Sequence, residues 1–222
     1  MSNVVVDIET VGFDFNSFSQ KDQEYLLKNC QNEEEKEKVE NSLALSSLTG
    51  EMVSVAMLNP KTGRGMVFFQ DKNSQTEKFE ENGILYEAGN EKEILEKFWE
   101  LVRTYDRVIT FNGRSFDVPF LMIRSAINKV RVSKNLLGYR YEHKIHCDLL
   151  DQLTFYGATR RYSLDFYTKR FGIKSPKEEG LDGSMVGDLY KKGKYVEIAR
   201  YCARDVLATG ELFDYWDKYL RF

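Results

Sequence analysis

Carboxylates recur in this chain at spacings that would let them act together. Residues 4–13 read VVVDIETVGF, a β-branched run interrupted by Asp7 and Glu9. Side chains two apart in a strand point the same way, so these two carboxylates share a face about 7 Å apart. Like charges held that close near a sheet core repel each other and lose hydration, so the pair is expected to take up a proton or share a cation. Downstream, FNGRSFD (111–117) puts Asp117 just beyond the end of a second buried strand. YCARD (201–205) puts Tyr201 and Asp205 four apart, on one helix face. Asp and Glu oxygens suit a hard cation, Mg²⁺ or Mn²⁺. Three aspartates and a glutamate can hold two such ions, typically about 3.5 to 4 Å apart, across the attacking and leaving oxygens of a phosphodiester displacement. No competing hydrolytic set such as G-x-S-x-G or H-E-x-x-H occurs. Taken singly, a D-x-E on a strand arises by chance and an i,i+4 Tyr and Asp is often a solvated helix face. Together and in this order they point to a metal centre.

The elements that must position these groups follow from periodicity. Residues 17–48 are polar, with NEEEKEKVE at 32–40 and sparse apolar positions at helical spacing, and predict a helical insertion that packs weakly. EMVSVAML and RGMVFFQ, separated by NPKTG, predict a β-hairpin. Asn90 and Glu93 form a capping box before a helix with the apolar stripe Ile94, Leu95, Phe98, Leu101, Val102 and Tyr105. RVITF (107–111) is a short buried strand ending at Asn112-Gly113, and a helix follows to about Asn128, with Pro119 tolerable in its first turn. Ser163 caps a helix that stops at Gly172, and a last helix runs from about Val196 nearly to the C-terminus. The order predicts an α/β fold, a mixed sheet flanked by helices, as a single domain over residues 1–222.

The chain of 222 residues has a net charge of −3, unevenly spread. Residues 121–180 carry 12 basic and 6 acidic side chains, interleaved with Tyr139, Tyr141, Tyr156, Tyr162 and Tyr167. Cations for phosphates and rings for bases suit a single-stranded nucleic acid, and a solvated face over a core of Tyr bodies has the same composition. Cys30, Cys147 and Cys202 have no C-x-x-C spacing and cannot all pair, which points to a reducing, cytoplasmic setting. The sequence shows no N-terminal apolar h-region and no stretch near 18 apolar residues, so neither secretion nor membrane spanning is expected.

The order DIET, then N-x-x-x-F-D, then Y-x-x-x-D resembles the DEDD 3'-5' exonucleases in their tyrosine subclass. The surroundings are similar to the proofreading domain of family B DNA polymerases, and more so to stand-alone predicted exonucleases related to it, judged from FNGRSFDVPFL, HCDLLDQLTFYG, RRYSLDFYTKRFGI and EIARYCARDVLAT. The resemblance covers 107–212 and the first strand. It implies an RNase H-like fold, with Asp7, Glu9, Asp117 and Asp205 as ligands of two Mg²⁺ or Mn²⁺ ions, Tyr201 orienting the attacking water, and Asn112 and Phe116 on the terminal nucleotide. The implied activity is 3'-5' hydrolysis of single-stranded nucleic acid, DNA favoured, releasing nucleoside 5'-monophosphates. An RNA-trimming enzyme of the same fold, or a nucleic-acid-binding module without catalysis, are the alternatives. Two departures stand out: the 17–48 insertion, and an end 17 residues after Asp205, from which no polymerase module is expected to follow. His143 and Asp148 have the five-residue spacing of the histidine subclass, but KIHCDLL reads as a strand or its end, only 31 residues after Asp117. Tyr201 with Asp205 is therefore preferred, and Asp148 is expected behind the ligands, on the substrate side, or as the cap of the next helix.

Overall fold

The computed structural model describes residues 1–73, 75–177 and 183–221. Its strands are β1 (Asn3–Gly12), β2 (Gly50–Leu58), β3 (Gly65–Gln70), β4 (Phe79–Glu81), β5 (Ile84–Gly89), β6 (Arg107–Thr110) and β7 (His146–Asp148). They form one mixed sheet in the order β4-β5-β3-β2-β1-β6-β7. β1 runs antiparallel to β2 and parallel to β6, which is parallel to β7. The helices are α1 (Gln20–Leu26), α2 (Glu33–Ser42), α3 (Glu91–Val102), α4 (Asp117–Ile127), α5 (Leu149–Leu153), α6 (Leu164–Phe171), α7 (Val186–Lys191) and α8 (Tyr195–Tyr219).

The alternation along β1 sorts its side chains between two cores. Val4, Val6 and Ile8 pack with Ile94, Leu95 and Phe98 of α3 and Val118 and Leu121 of α4. Val5 and Val11 face the other way, into the cluster containing Ile198, Cys202 and Val206 of α8. Full burial of each such aliphatic side chain contributes about 1.5–3 kcal/mol, so β1 has one stable register, and in it Asp7 and Glu9 share the α8 face with Val5 and Val11. The capping box of α3, the Ser163 cap and the left-handed Gly172 (φ 70°) ending α6 are all present.

The structure differs from the periodicity reading in particulars. Trp99, left out of the α3 stripe, is buried and donates to Ser125 Oγ (2.7 Å), while Leu101 and Tyr105 are half-buried. The β4–β5 hairpin and α7 are additions to the expected order. The hairpin turns at Asn82-Gly83, both with positive φ (52° and 78°), which is the pairing a two-residue turn demands. The insertion is helical, and α1 and α2 bury no residue. Its return is anchored to β1. Leu43 is buried, Thr10 Oγ1 donates to the Ala44 carbonyl (2.7 Å), and a Cβ on Gly12 would stand 2.8 Å from Leu43 Cβ.

Candidate active site

The site begins where two parallel strands part. β1 pairs with β6 only through Asn3–Val5, opposite Arg107–Ile109; β1 then continues along β2 while β6 ends at Thr110. Ile8, past the parting, gives its N–H to Asp117 Oδ1 (3.2 Å). Asp117 reaches it because the chain turns sharply after β6. Asn112 is left-handed (φ 66°), a conformation asparagine tolerates, and Gly113 packs so tightly on Thr110 that a Cβ would lie 2.4 Å from Thr110 Cβ. Asp148 fixes this turn. Its carboxylate accepts the N–H groups of Asn112 (2.8 Å), Arg114 (2.9 Å) and Leu150 (3.0 Å), so it caps α5 and pins the loop at once. Burial raises the Asp148 pKa, and these N–H donors oppose the rise. Asp117 is the first residue of α4, where the helix dipole favours negative charge.

Four carboxylates converge at this end of the sheet from β1, α4 and α8. A register shift follows Glu9 in the β1–β2 ladder, just after the two acidic residues. Burial raises the pKa of Asp7 well above the ordinary value, and the charges of Asp205, Asp117 and Glu9 raise it further. Glu9 is raised by burial and then by Asp205 and Asp117. Asp117 is pushed up to about 7, chiefly by burial, with its backbone hydrogen bonds opposing. Asp205 is also pushed up to about 7 by burial, while a hydrogen bond from the Tyr201 side chain and the charges of Arg204 and Lys177 draw it down. Tyr201 and Asp205 thus meet on α8, as their spacing predicts.

Cys202 stands next to Asp7 and was not singled out by the sequence. Its thiol approaches the Asp7 carbonyl (3.4 Å) and Oδ2 (3.7 Å). Asp7, Glu9 and Cys202 bring one ligand atom each within 4.8 Å of one another, and Asp205 and Asp117 reach this trio through their charge. Burial keeps the thiol protonated, its pKa well above normal, so Cys202 donates to Asp7 and does not compete as a thiolate. Its signal was the i,i+3 spacing to Asp205 on the same helix face. Arg161, one of the basic residues of the 121–180 segment, has a contact the sequence reading did not foresee: its guanidinium donates to the Asn112 side-chain carbonyl. Phe116 directly precedes Asp117, half-buried against Phe120 at 5.6 Å. His143 lies elsewhere, edge-on to Trp216 at 5.4 Å, and its charged neighbours are Arg107, Arg221, Lys144 and Glu142. Arg107 opens β6, so His143 is at the opposite end of that strand from Asp117.

Residues 64–219 match the model of a family described as predicted 3'-5' exonuclease related to the exonuclease domain of PolB. Asp117, Tyr201 and Asp205 fall within that range, and Asp7 and Glu9 precede it. A DNA polymerase of Pyrococcus glycovorans is 26% identical over 142 residues, which cover 56% of this chain and 18% of the polymerase. The structure of the family B DNA polymerase from the hyperthermophilic archaeon Pyrobaculum calidifontis superposes with a TM-score of 0.61 at 17% identity, covering 96% of this chain and 24% of that one. The chain therefore spans a quarter or less of either polymerase, and the likeness to the second is one of fold. With more than half of its residues matched, the chain belongs to the family of predicted 3'-5' exonucleases related to the exonuclease domain of PolB.

Proposed function

We propose that this chain is a metal-dependent 3'-5' exonuclease that removes nucleoside 5'-monophosphates from the 3' end of single-stranded nucleic acid, DNA in preference to RNA. The observation that carries the reading is the meeting of Asp7, Glu9, Asp117 and Asp205 at one end of the sheet, each with a raised pKa. The donor set fits Mg²⁺ or Mn²⁺: four hard oxygen donors whose mutual repulsion a divalent cation offsets, beside a thiol held protonated. Asp7, Glu9, Asp117 and Asp205 would hold the metal through their carboxylate oxygens. Bound there, the metal supplies positive charge for the phosphate and acidifies a water.

The chain's own groups do the rest. The Tyr201 side chain, hydrogen-bonded to Asp205, orients the attacking water in line with the last phosphodiester. Asn112 has its side-chain carbonyl engaged by Arg161, which leaves its amide N–H groups for a sugar or phosphate oxygen. Phe116 sits beside Asp117 to contact the terminal base. The protein is tested on matched single-stranded DNA and RNA in Mg²⁺, Mn²⁺ or EDTA, with products identified by chromatography. The expected products are 5'-mononucleotides, formed faster from DNA and absent in EDTA. Absence of mononucleotides with either metal would remove the activity from the site, and faster digestion of RNA would reverse the preference.

A further inference from the structure

The surface flanking the Asn112–Arg114 turn exposes aromatic rings on both sides. Residues 128–145 run without helix or strand, a long irregular segment of the kind compact domains keep for binding. Tyr139 is 72% exposed and Tyr141 55%, edge to face at 5.7 Å, and Tyr156 packs on Tyr141 at 4.9 Å. These rings are held. Arg114, from the turn itself, donates to the carbonyls of Gly138 (3.2 Å) and Tyr139 (3.4 Å), and the Tyr156 hydroxyl donates to the Tyr141 carbonyl (3.1 Å). On the other side, Arg161 holds Asn112, Tyr162 stacks on Phe166 at 4.5 Å, and Arg160 lies over the Tyr162 ring at 5.1 Å.

Beside Tyr141, Phe155 and Tyr156 are consecutive left-handed residues (φ 50° and 58°), and Phe155 is 61% exposed. Bulky residues rarely adopt this region, and such strain concentrates where a segment meets a ligand. Charge supplies the last constraint. This surface belongs to the segment with 12 basic and 6 acidic side chains in a chain of net charge −3; Arg140 and Arg160 lie over the Tyr141 and Tyr162 rings, and the charge of Arg140 also reaches Asp151.

We propose that this aromatic and arginine surface is the platform for the strand leading into the carboxylate cluster. Unpaired bases stack on Tyr139, Tyr141 and Phe155, and on Tyr162 once Arg160 turns from that ring to a phosphate; phosphates lie against Arg140, Arg160 and Arg161. The proposal rests on the nuclease reading above and names its strand class. Exposed ring faces take unpaired bases, whereas a duplex keeps its base faces stacked on one another.

Equilibrium binding separates the platform from the chemistry. Fluorescein-labelled (dT)12, (U)12, (dT)2 and a blunt 12-base-pair duplex are titrated in Mg²⁺ against Asp205→Asn protein, in which cleavage is blocked. Removing one ring, Tyr141→Ala or Tyr162→Ala, is expected to weaken binding of the 12-mers about 10-fold. Tyr139→Ala with Tyr141→Ala should cost about 100-fold, on the same stacking scale. The dinucleotide, too short to reach the outer rings, should lose far less. Arg160→Ala should lower the slope of log affinity against log salt by about 0.7. Phe155→Gly separates packing from binding: glycine accepts the left-handed backbone, so the melting temperature holds while the 12-mers bind more weakly. Folded ring variants that bind (dT)12 as tightly as their parent, or a duplex that binds as tightly as the single strand, overturn the platform even if the unmodified enzyme digests strands normally. Conversely, ring-dependent binding by a protein that cuts nothing overturns the nuclease reading and leaves the platform standing.

Discussion

At the scale of single residues, the candidate site was legible where one element carries the constraint. Strand alternation is enough to put Asp7 and Glu9 on one face, and helical spacing is enough to put Tyr201 beside Asp205. The placing of Cys202 and Arg161 was not legible, because a thiol beside Asp7 depends on how α8 is rotated against β1, and a guanidinium on Asn112 depends on where the loop before α6 returns. Asp148 was read as a cap or a supporting group; it is a cap, and it also holds the turn that carries Asn112. The subclass assignment is testable here. Tyr201→Phe keeps the ring and loses only the hydroxyl, so it should slow cleavage by about 10- to 1000-fold while metal still binds. His143→Ala, which removes a ring packed on Trp216, should be impaired mildly. Rates of both variants across pH in saturating Mg²⁺ decide the matter; a healthy Tyr201→Phe enzyme beside a crippled His143→Ala enzyme would reverse the assignment.

At the scale of elements, the strands and helices with long periodic patterns were readable, as were the short β6 and β7, while β4 and α7 were not. β4 is three residues long, and its hairpin is announced only by Asn82-Gly83, a local turn signal that periodicity passes over. The Asp148 turn carries a stability prediction. Asp148→Ala strands three N–H groups in a largely buried place, which should cost about 3 kcal/mol in a denaturant titration and weaken strand binding through a displaced Asn112. An unchanged midpoint would deny Asp148 its pinning role. The insertion carries another. α1 and α2 bury nothing and the segment 17–48 has net charge −3, while its return at Leu43–Leu45 is attached near the end of β1. We propose that it screens the substrate entrance. Replacing residues 20–40 with a short Gly-Ser link, keeping Leu43, should leave the protein folded and broaden the accepted substrates toward longer or duplex ends. An unchanged preference in the folded variant would reduce the insertion to a cover for the sheet.

At the scale of the whole molecule, one end of the fold is held under electrostatic tension. Asp117 and Asp205 have folded-state values near 7 against an ordinary 3.8. The folded chain therefore keeps protons that the unfolded chain has released, and without metal the stability from these groups falls as pH rises from about 4 to about 7. Above that window the charges are fully expressed, and a cation has most to offset. Thermal melts in EDTA should show a lower melting temperature at pH 8 than at pH 5, and added Mg²⁺ should raise it more at pH 8; equal metal shifts at both values would deny that cation binding and deprotonation are linked. Asp7→Asn removes one charge from the same cluster and should spare or raise metal-free stability at pH 8 while abolishing turnover. The account as a whole turns on whether those carboxylates cut nucleic acid from the 3' end. A single strand labelled at its 5' end, incubated in Mg²⁺ with the unmodified protein, Asp7→Asn and Asp205→Asn, measures this directly. The account predicts a ladder shortening one nucleotide at a time from the 3' end for the unmodified protein alone, abolished by EDTA; an intact strand, or a ladder that persists in either variant, contradicts it.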